Sequence, residues 1–380
     1  MPRAECVPRA LAIGIVRIGL PAASWVLLVT AAPVRALELC APAAGDAPGF
    51  VARCRQCVDA HAFGAGQNPA RLVRNVSVPC PSVAPFSMFV YDHGRGGVND
   101  AVSKRIIRDG DWEPQESAMI CRALFGHRRH AVDGTPTLLD VGANVGWFSL
   151  LAAAAGARVH SVEANYKNAW MLRASRCLNG FEAAISLHET GVGSVAKNCT
   201  LLSPRQNHGD TFVSCDGAYD EKLWDERARI MGWTKGFLKI DAIRIVTLDS
   251  LLGDARIDVI KIDIEGFEPD AIRGAAAVLD RPDPPRAIFT EVVPKLIIHR
   301  GFDPISYLRE FVERNYTVTN LAPDHIFHIH DAAELKHFVS DVDWTAGTYD
   351  LVMRRHRHHA DYEHPPSGLA KRGEFPLSPT

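Results

Sequence analysis

Leu139-Asp140-Val141-Gly142-Ala143-Asn144-Val145-Gly146-Trp147-Phe148-Ser149 is the stretch on which the architecture of this chain turns. Thr137 to Val141 reads as a buried strand, and the apolar run from Trp147 to Ala155 reads as a helix. Between them Gly142 and Gly146 permit a tight turn and a close approach of backbone to a ligand, and the helix start supplies N–H groups. Glu163 ends the following strand, Arg158–Glu163, roughly 20 residues beyond the first glycine, where a carboxylate accepts hydrogen bonds from both hydroxyls of a ribose. Asn144 narrows the ligand. A dinucleotide turn wants its middle glycine there so that a pyrophosphate can approach, and a polar side chain crowds it. The turn suits a smaller nucleoside carrying an amino-acid group, with Asp140 placed to orient backbone donors or the ligand amine.

Outward from this turn, strands and helices alternate. A helix over Asn168 to Leu178 ends at Asn179-Gly180, and Ala184 to Thr190 is a third strand. After a break, Ile257–Asp263 reads as a strand, Pro269–Leu279 as a helix, Arg286–Glu291 as a strand and Pro304–Arg314 as a helix. Thr317–Asn320 and Tyr349–Met353 close the pattern. Such alternation predicts an α/β domain over 116–354: a doubly wound, mostly parallel sheet with helices on both faces and the ligand at the carboxyl ends of the strands. The segment from about 191 to 244 breaks the rhythm. It reads as an insertion near the rim of the site, with Trp224 and Trp233 in a charged helical stretch.

Chemistry concentrates again at Lys261-Ile-Asp263-Ile-Glu265-Gly266, running off the end of a later strand. Two carboxylates one residue apart face the same cleft only if the chain turns after Asp263, which Gly266 allows. Asp263 and Glu265, joined by Glu291 at the end of the next strand, are candidates to polarise a hydroxyl, hold a substrate or bind a divalent metal; no metal ligand set can be assigned from them. For each, a solvated strand-end cap is the competing reading. His299 is a further candidate base.

The ends of the chain read differently. Arg3, Arg9 and Arg17 flank an apolar stretch, Ile18 to Ala32, followed by small residues near Val34-Arg35-Ala36. This predicts a signal peptide over 1–36, or a single-pass signal anchor if Leu11 to Val16 joins the run, and hence a secretory location; an organellar transit peptide is the alternative. Residues 37–115 read as an irregular extension rich in Cys, Pro and Gly. Outside the leader, Cys40, Cys54, Cys57, Cys80, Cys121, Cys177, Cys199 and Cys215 form an even set compatible with disulfides of unspecified pairing. Cys54-Arg-Gln-Cys57 with His61 is half of a zinc site without its second half. Asn75, Asn198 and Asn315 begin glycosylation sequons, and 355–380 reads as a disordered tail with a His tract. A formal net charge of −2 gives a nucleic-acid partner no electrostatic support.

Taken together, Leu139-Asp140-Val-Gly142-Ala-Asn144-Val-Gly146-Trp147-Phe148-Ser149, Val162-Glu163, Leu178-Asn179-Gly180, Thr247-Leu-Asp249 and Ile260-Lys261-Ile-Asp263-Ile-Glu265-Gly266-Phe-Glu268 resemble the FkbM family of methyltransferases, with coverage from about Pro136 to Glu291. The resemblance implies a Rossmann-like class I fold, S-adenosylmethionine as methyl donor, and O-methylation of a hydroxyl on a sugar or polyketide-like small molecule. The chain departs from the family in carrying Ala164-Asn165 where members commonly have Pro after the acidic residue, and in its long insertion before Ile240. A nicotinamide oxidoreductase on the same sheet and a non-catalytic glycan-binding protein of the same fold are the other readings.

Overall fold

The apolar strand Thr137–Val141 lies inside an eight-stranded sheet, buried along its whole length. The structure is a computed structural model that describes residues 54, 70–76, 80, 83–92, 100–126, 134–204, 211–215, 229, 237–321, 327–341 and 347–355, all within the unit Leu39–Thr380. In chain order the strands are β1 (Ala70–Val76), β2 (Phe86–Tyr91), β3 (Thr137–Val141), β4 (Arg158–Val162), β5 (Ile185–His188), β6 (Gly191–Val192), β7 (Lys197–Pro204), β8 (Phe212–Cys215), β9 (Phe237–Val246), β10 (Val259–Ile262), β11 (Ala287–Val292), β12 (Tyr316–Asn320), β13 (His328–Ile329) and β14 (Tyr349–Arg355). The helices are α1 (Ala101–Asp109), α2 (Pro114–Phe125), α3 (Trp147–Ala154), α4 (Tyr166–Asn179), α5 (Leu248–Leu252), α6 (Glu268–Arg273), α7 (Ala276–Leu279), α8 (Pro294–His299), α9 (Pro304–Glu313) and α10 (Ala332–Asp341).

The large sheet has the order β13-β12-β14-β11-β10-β3-β4-β5. β11, β10, β3, β4 and β5 are parallel neighbours, while β14 wedges antiparallel between β11 and β12. The parallel expectation therefore applies to the half that carries the glycine turn and ends at β11. Side-chain alternation sends Leu138, Val259 and Phe289 into one core with α2, α3 and α4, and Leu139, Ile260 and Ile288 into a second with α5, α6 and α9. Because both faces are covered, the parallel strands read as near-continuous apolar runs.

The described part of the 37–115 segment is built into the first core rather than appended to it. β1 and β2 form an antiparallel hairpin against α4. On α4, Asn168, Ser175 and Asn179 recur at helical spacing and bond β2: Asn179 and Ser175 accept from the N–H groups of Ser87 and Phe89, and the Tyr91 hydroxyl donates to Asn168. Two disulfides, Cys54–Cys177 and Cys80–Cys121, fasten the same region. Cys54 is thus unavailable as a zinc ligand, while Cys57 and His61 lie outside the described residues, as does the leader.

Where it is described, the 191–244 insertion is mostly β structure, with Arg229 in helical conformation. β6, β9, β7 and β8 make a second, four-stranded sheet, and Cys199–Cys215 joins directly paired residues of β7 and β8. Trp224 and Trp233 lie outside the described residues. The helix expected over Pro269–Leu279 is two, α6 and α7, broken at Gly274 because the carbonyl of Gly193 comes so close that a Cβ there would sit 2.1 Å from its oxygen. The strand β14 extends to Arg355, so Arg354 and Arg355 belong to the sheet and not to the tail. Among the described residues no helix is long and apolar enough to cross a membrane.

Candidate active site

The turn between β3 and α3 has left-handed backbone at Gly142, Asn144 and Gly146, with φ of 80°, 52° and 97°. Asn is among the few side chains that tolerate this conformation. The two glycines serve chain-to-chain approach: a Cβ on Gly142 would meet the carbonyl oxygen of Asp263 at 1.9 Å, and one on Gly146 would meet Leu172 of α4 at 2.3 Å. All five N–H groups of the turn are consumed by the protein. Gly142 and Ala143 donate to the Val162 carbonyl, Asn144 to the Glu163 carboxylate, Val145 to the Asn144 side chain and Gly146 to the Ala143 carbonyl.

Asp140 is buried beneath the turn and does not line the cavity. Its carboxylate accepts from the Ser149 hydroxyl at 2.5 Å, and Ser149 in turn meets Ser161 at 2.7 Å, tying β3 to α3 and β4. Burial raises its pKa, opposed by the charge of Lys261 and the Ser149 bonds. Asp140 therefore sets the turn's shape, and a direct contact with a ligand amine is not its role in this geometry.

Glu163 does reach the cavity, a space of about 320 Å³ at the carboxyl ends of β3, β4 and β10. Its two oxygens accept from the N–H of Asn144 and of Asn165, both at 2.7 Å, and the Asn168 side chain is a further hydrogen-bond partner, so the carboxyl is fixed in place. Burial pushes it up to about 7 against those two donors. Segments from three parts of the chain close the space: Trp112 and Glu113 before α2, Leu201 and Val213 of the second sheet, and Phe267 before α6. Leu201 and Val213 belong to the insertion expected at the rim and Phe267 to the 260–268 motif, whereas Trp112 and Glu113 were not legible beforehand, since nothing local in the sequence marks a residue brought to a rim by a remote element.

The far wall is acidic. Asp263 and Glu265 share it because the chain leaves β10 in a turn with left-handed Glu265 and Gly266, φ 59° and 85°. Glu268 pins that turn by accepting from the N–H groups of Ile264 and Gly266, and burial pushes its carboxyl up to about 7. Lys261, 5% exposed, lies over the Phe148 ring and donates to Asp263 at 2.9 Å. Burial works against its charge, but Asp263, Glu116, Glu113 and Asp140 outweigh burial and raise its pKa. Glu291 lines the same wall and faces Asp350 across the β11–β14 ladder. Burial, then Asp263, Glu265, Asp350 and Glu268, push Glu291 up to about 10. His299, at the end of α8, does not line the cavity. Among the described residues no group of three or more His, Cys, Asp or Glu is arranged to hold a metal ion.

Residues 140–295 match the methyltransferase FkbM domain, and S-adenosylmethionine is the methyl donor of that family. No curated protein matches the chain. Similar solved structures include a SAM-dependent O-methyltransferase from Thermotoga maritima (9% identity, 74% of this chain and 78% of that one, TM-score 0.32). An O-methyltransferase from Bacillus cereus in complex with SAH (15%, 64% and 81%, 0.30) and a precorrin-6y C5,15-methyltransferase from Geobacter metallireducens (10%, 65% and 93%, 0.31) are others.

Proposed function

We propose that the chain is an O-methyltransferase acting on a hydroxyl of a carbohydrate or other small metabolite. The observation that carries this reading is one cavity lined both by Glu163, placed after the glycine turn to accept from a ribose, and by Asp263, Glu265 and Glu291. The cofactor supplies a sulfonium methyl that needs little activation; the alcohol is the weaker partner, and a carboxylate within reach takes its proton. Asp263 and Glu291 are the candidates, and Glu265 helps hold the acceptor. Catalysis then comes largely from positioning acceptor oxygen and methyl at about 3 to 3.5 Å.

We further propose a secretory location. Three disulfides among the described residues support it, since such bonds persist mainly in oxidising compartments. Exposed Asn198 and Asn315 are open to glycosylation there. The test of function is incubation of the full chain with labelled methyl donor and a host extract, followed by identification of the labelled product. Label on oxygen of a small molecule or glycan is the expected result; label on nitrogen or on protein alone overturns the reading. Unchanged turnover in Asp263→Ala and in Glu291→Gln together would remove the carboxylates from the mechanism.

A further inference from the structure

Among the described residues the cavity is lined by five carboxylates, Glu113, Glu163, Asp263, Glu265 and Glu291, and by one cation, Lys261. That single ammonium is already bonded to Asp263. Among the described residues no ion pair joins Glu291 to a cation, and the charges that act on it most are acidic: Asp263 and Glu265 after β10, Glu268 of α6 and Asp350 of β14. A further cation in the cavity would favour its ionised form. Both cofactor forms in a methyl transfer carry an ammonium, but only S-adenosylmethionine carries a second positive charge, its sulfonium; S-adenosylhomocysteine is a thioether without it.

We propose that Glu291 reads the charge of the bound cofactor, holding a proton in the free enzyme and with S-adenosylhomocysteine, and releasing it to solvent when S-adenosylmethionine binds. The inference rests on the cofactor assignment and extends the proposed mechanism. It resolves a difficulty in that mechanism, because a neutral Glu291 cannot act as a base. Once ionised it can. In the transfer, the acceptor oxygen bonds the methyl carbon as the sulfur–methyl bond breaks with its electron pair staying on sulfur, and the hydroxyl proton passes to the Glu291 carboxylate. Glu291 ends the cycle protonated beside a neutral thioether, as it began.

Isothermal calorimetry in buffers of different ionisation enthalpy counts the protons released on binding. Both ligands carry the same ribose and amino-acid group, but the sulfonium lowers the pKa of the nearby amine, so the proton at Glu291 is read from the wild type minus Glu291→Gln for each ligand, in which proton changes at Glu163 and at the amine cancel. Near pH 8 S-adenosylmethionine should by that measure release about one proton more than S-adenosylhomocysteine, and its affinity should rise by up to about tenfold per pH unit more steeply. Glu291→Gln should bind both ligands and lose that proton. If that variant does not fold, Asp350→Asn serves: with one facing negative charge removed, the difference should fade at a lower pH than in the wild type. Equal proton release for the two ligands by the same measure overturns the proposal while leaving the methyltransferase reading intact. Binding of neither ligand overturns both.

Discussion

Gly142, which lines the cavity, shows how a single residue fixes the site through its packing. Its φ is left-handed, and the Asp263 carbonyl oxygen lies 1.9 Å from where a Cβ would stand, so β3 and the acidic turn after β10 meet only if this side chain is absent. Gly142→Ala should lower stability by at least about 2 kcal/mol, read as a shift in the urea midpoint, because backbone rather than a flexible side chain would have to move. Glu163 acts on the ligand itself. Glu163→Gln keeps the shape but removes the charge that accepts ribose hydroxyls, so affinity should fall roughly 10- to 100-fold for S-adenosylmethionine and S-adenosylhomocysteine alike, measured by calorimetry. A loss confined to one ligand would show that the ribose is held elsewhere. Both residues stand out in the sequence, and the packing of Gly142 against the Asp263 carbonyl is a further reason for the glycine that only the structure supplies.

At the scale of elements, the second sheet decides how the cavity is covered. Leu201 and Val213 are directly paired across β7 and β8, two positions along from the bonded pair Cys199–Cys215, and both line the cavity. That disulfide closes a separation of 16 residues, which in the chain-entropy account stabilises the hairpin by about 3 kcal/mol. The double variant Cys199→Ser, Cys215→Ser should therefore raise amide exchange in β7 and β8 while β3 and β4 stay protected, and should weaken acceptor use more than cofactor binding. Unaltered exchange in the hairpin would show that the ladder to β9 holds it unaided. Periodicity missed this sheet because β6 and β8 are short and because polar residues, Lys197, Asn198 and Thr200 in β7 and Lys239, Asp241 and Arg244 in β9, dilute the apolar pattern of the long strands. It found β3, β4, β10 and β11 without difficulty, since strands buried on both faces are written as unbroken apolar runs.

For the whole molecule, buried acids set the pH dependence of stability. Glu163 and Glu268 are raised from the ordinary value of 4.5 to about 7, and Glu291 to about 10, in each case first by burial. The native state therefore holds more protons than the unfolded chain between these values, and their contribution is full below about 4.5 and lost as pH rises through 7 and beyond. The urea midpoint of the ligand-free protein should be lower at pH 8 than at pH 5, by an amount on the order of a few kcal/mol, and S-adenosylmethionine should recover part of it. A midpoint that rises with pH would contradict the burial of these groups. The sequence by itself determined the central strands, the turn that joins β3 to α3, and the carboxylates at the strand ends, because apolar period, glycine and acid are local properties of a chain. Only the tertiary structure decided that Asp140 stays beneath the cavity, that Trp112, Glu113, Leu201 and Val213 close it, and that among the described residues one lysine faces five carboxylates there. Burial and charge balance arise from residues far apart in the chain, so no stretch of sequence contains them.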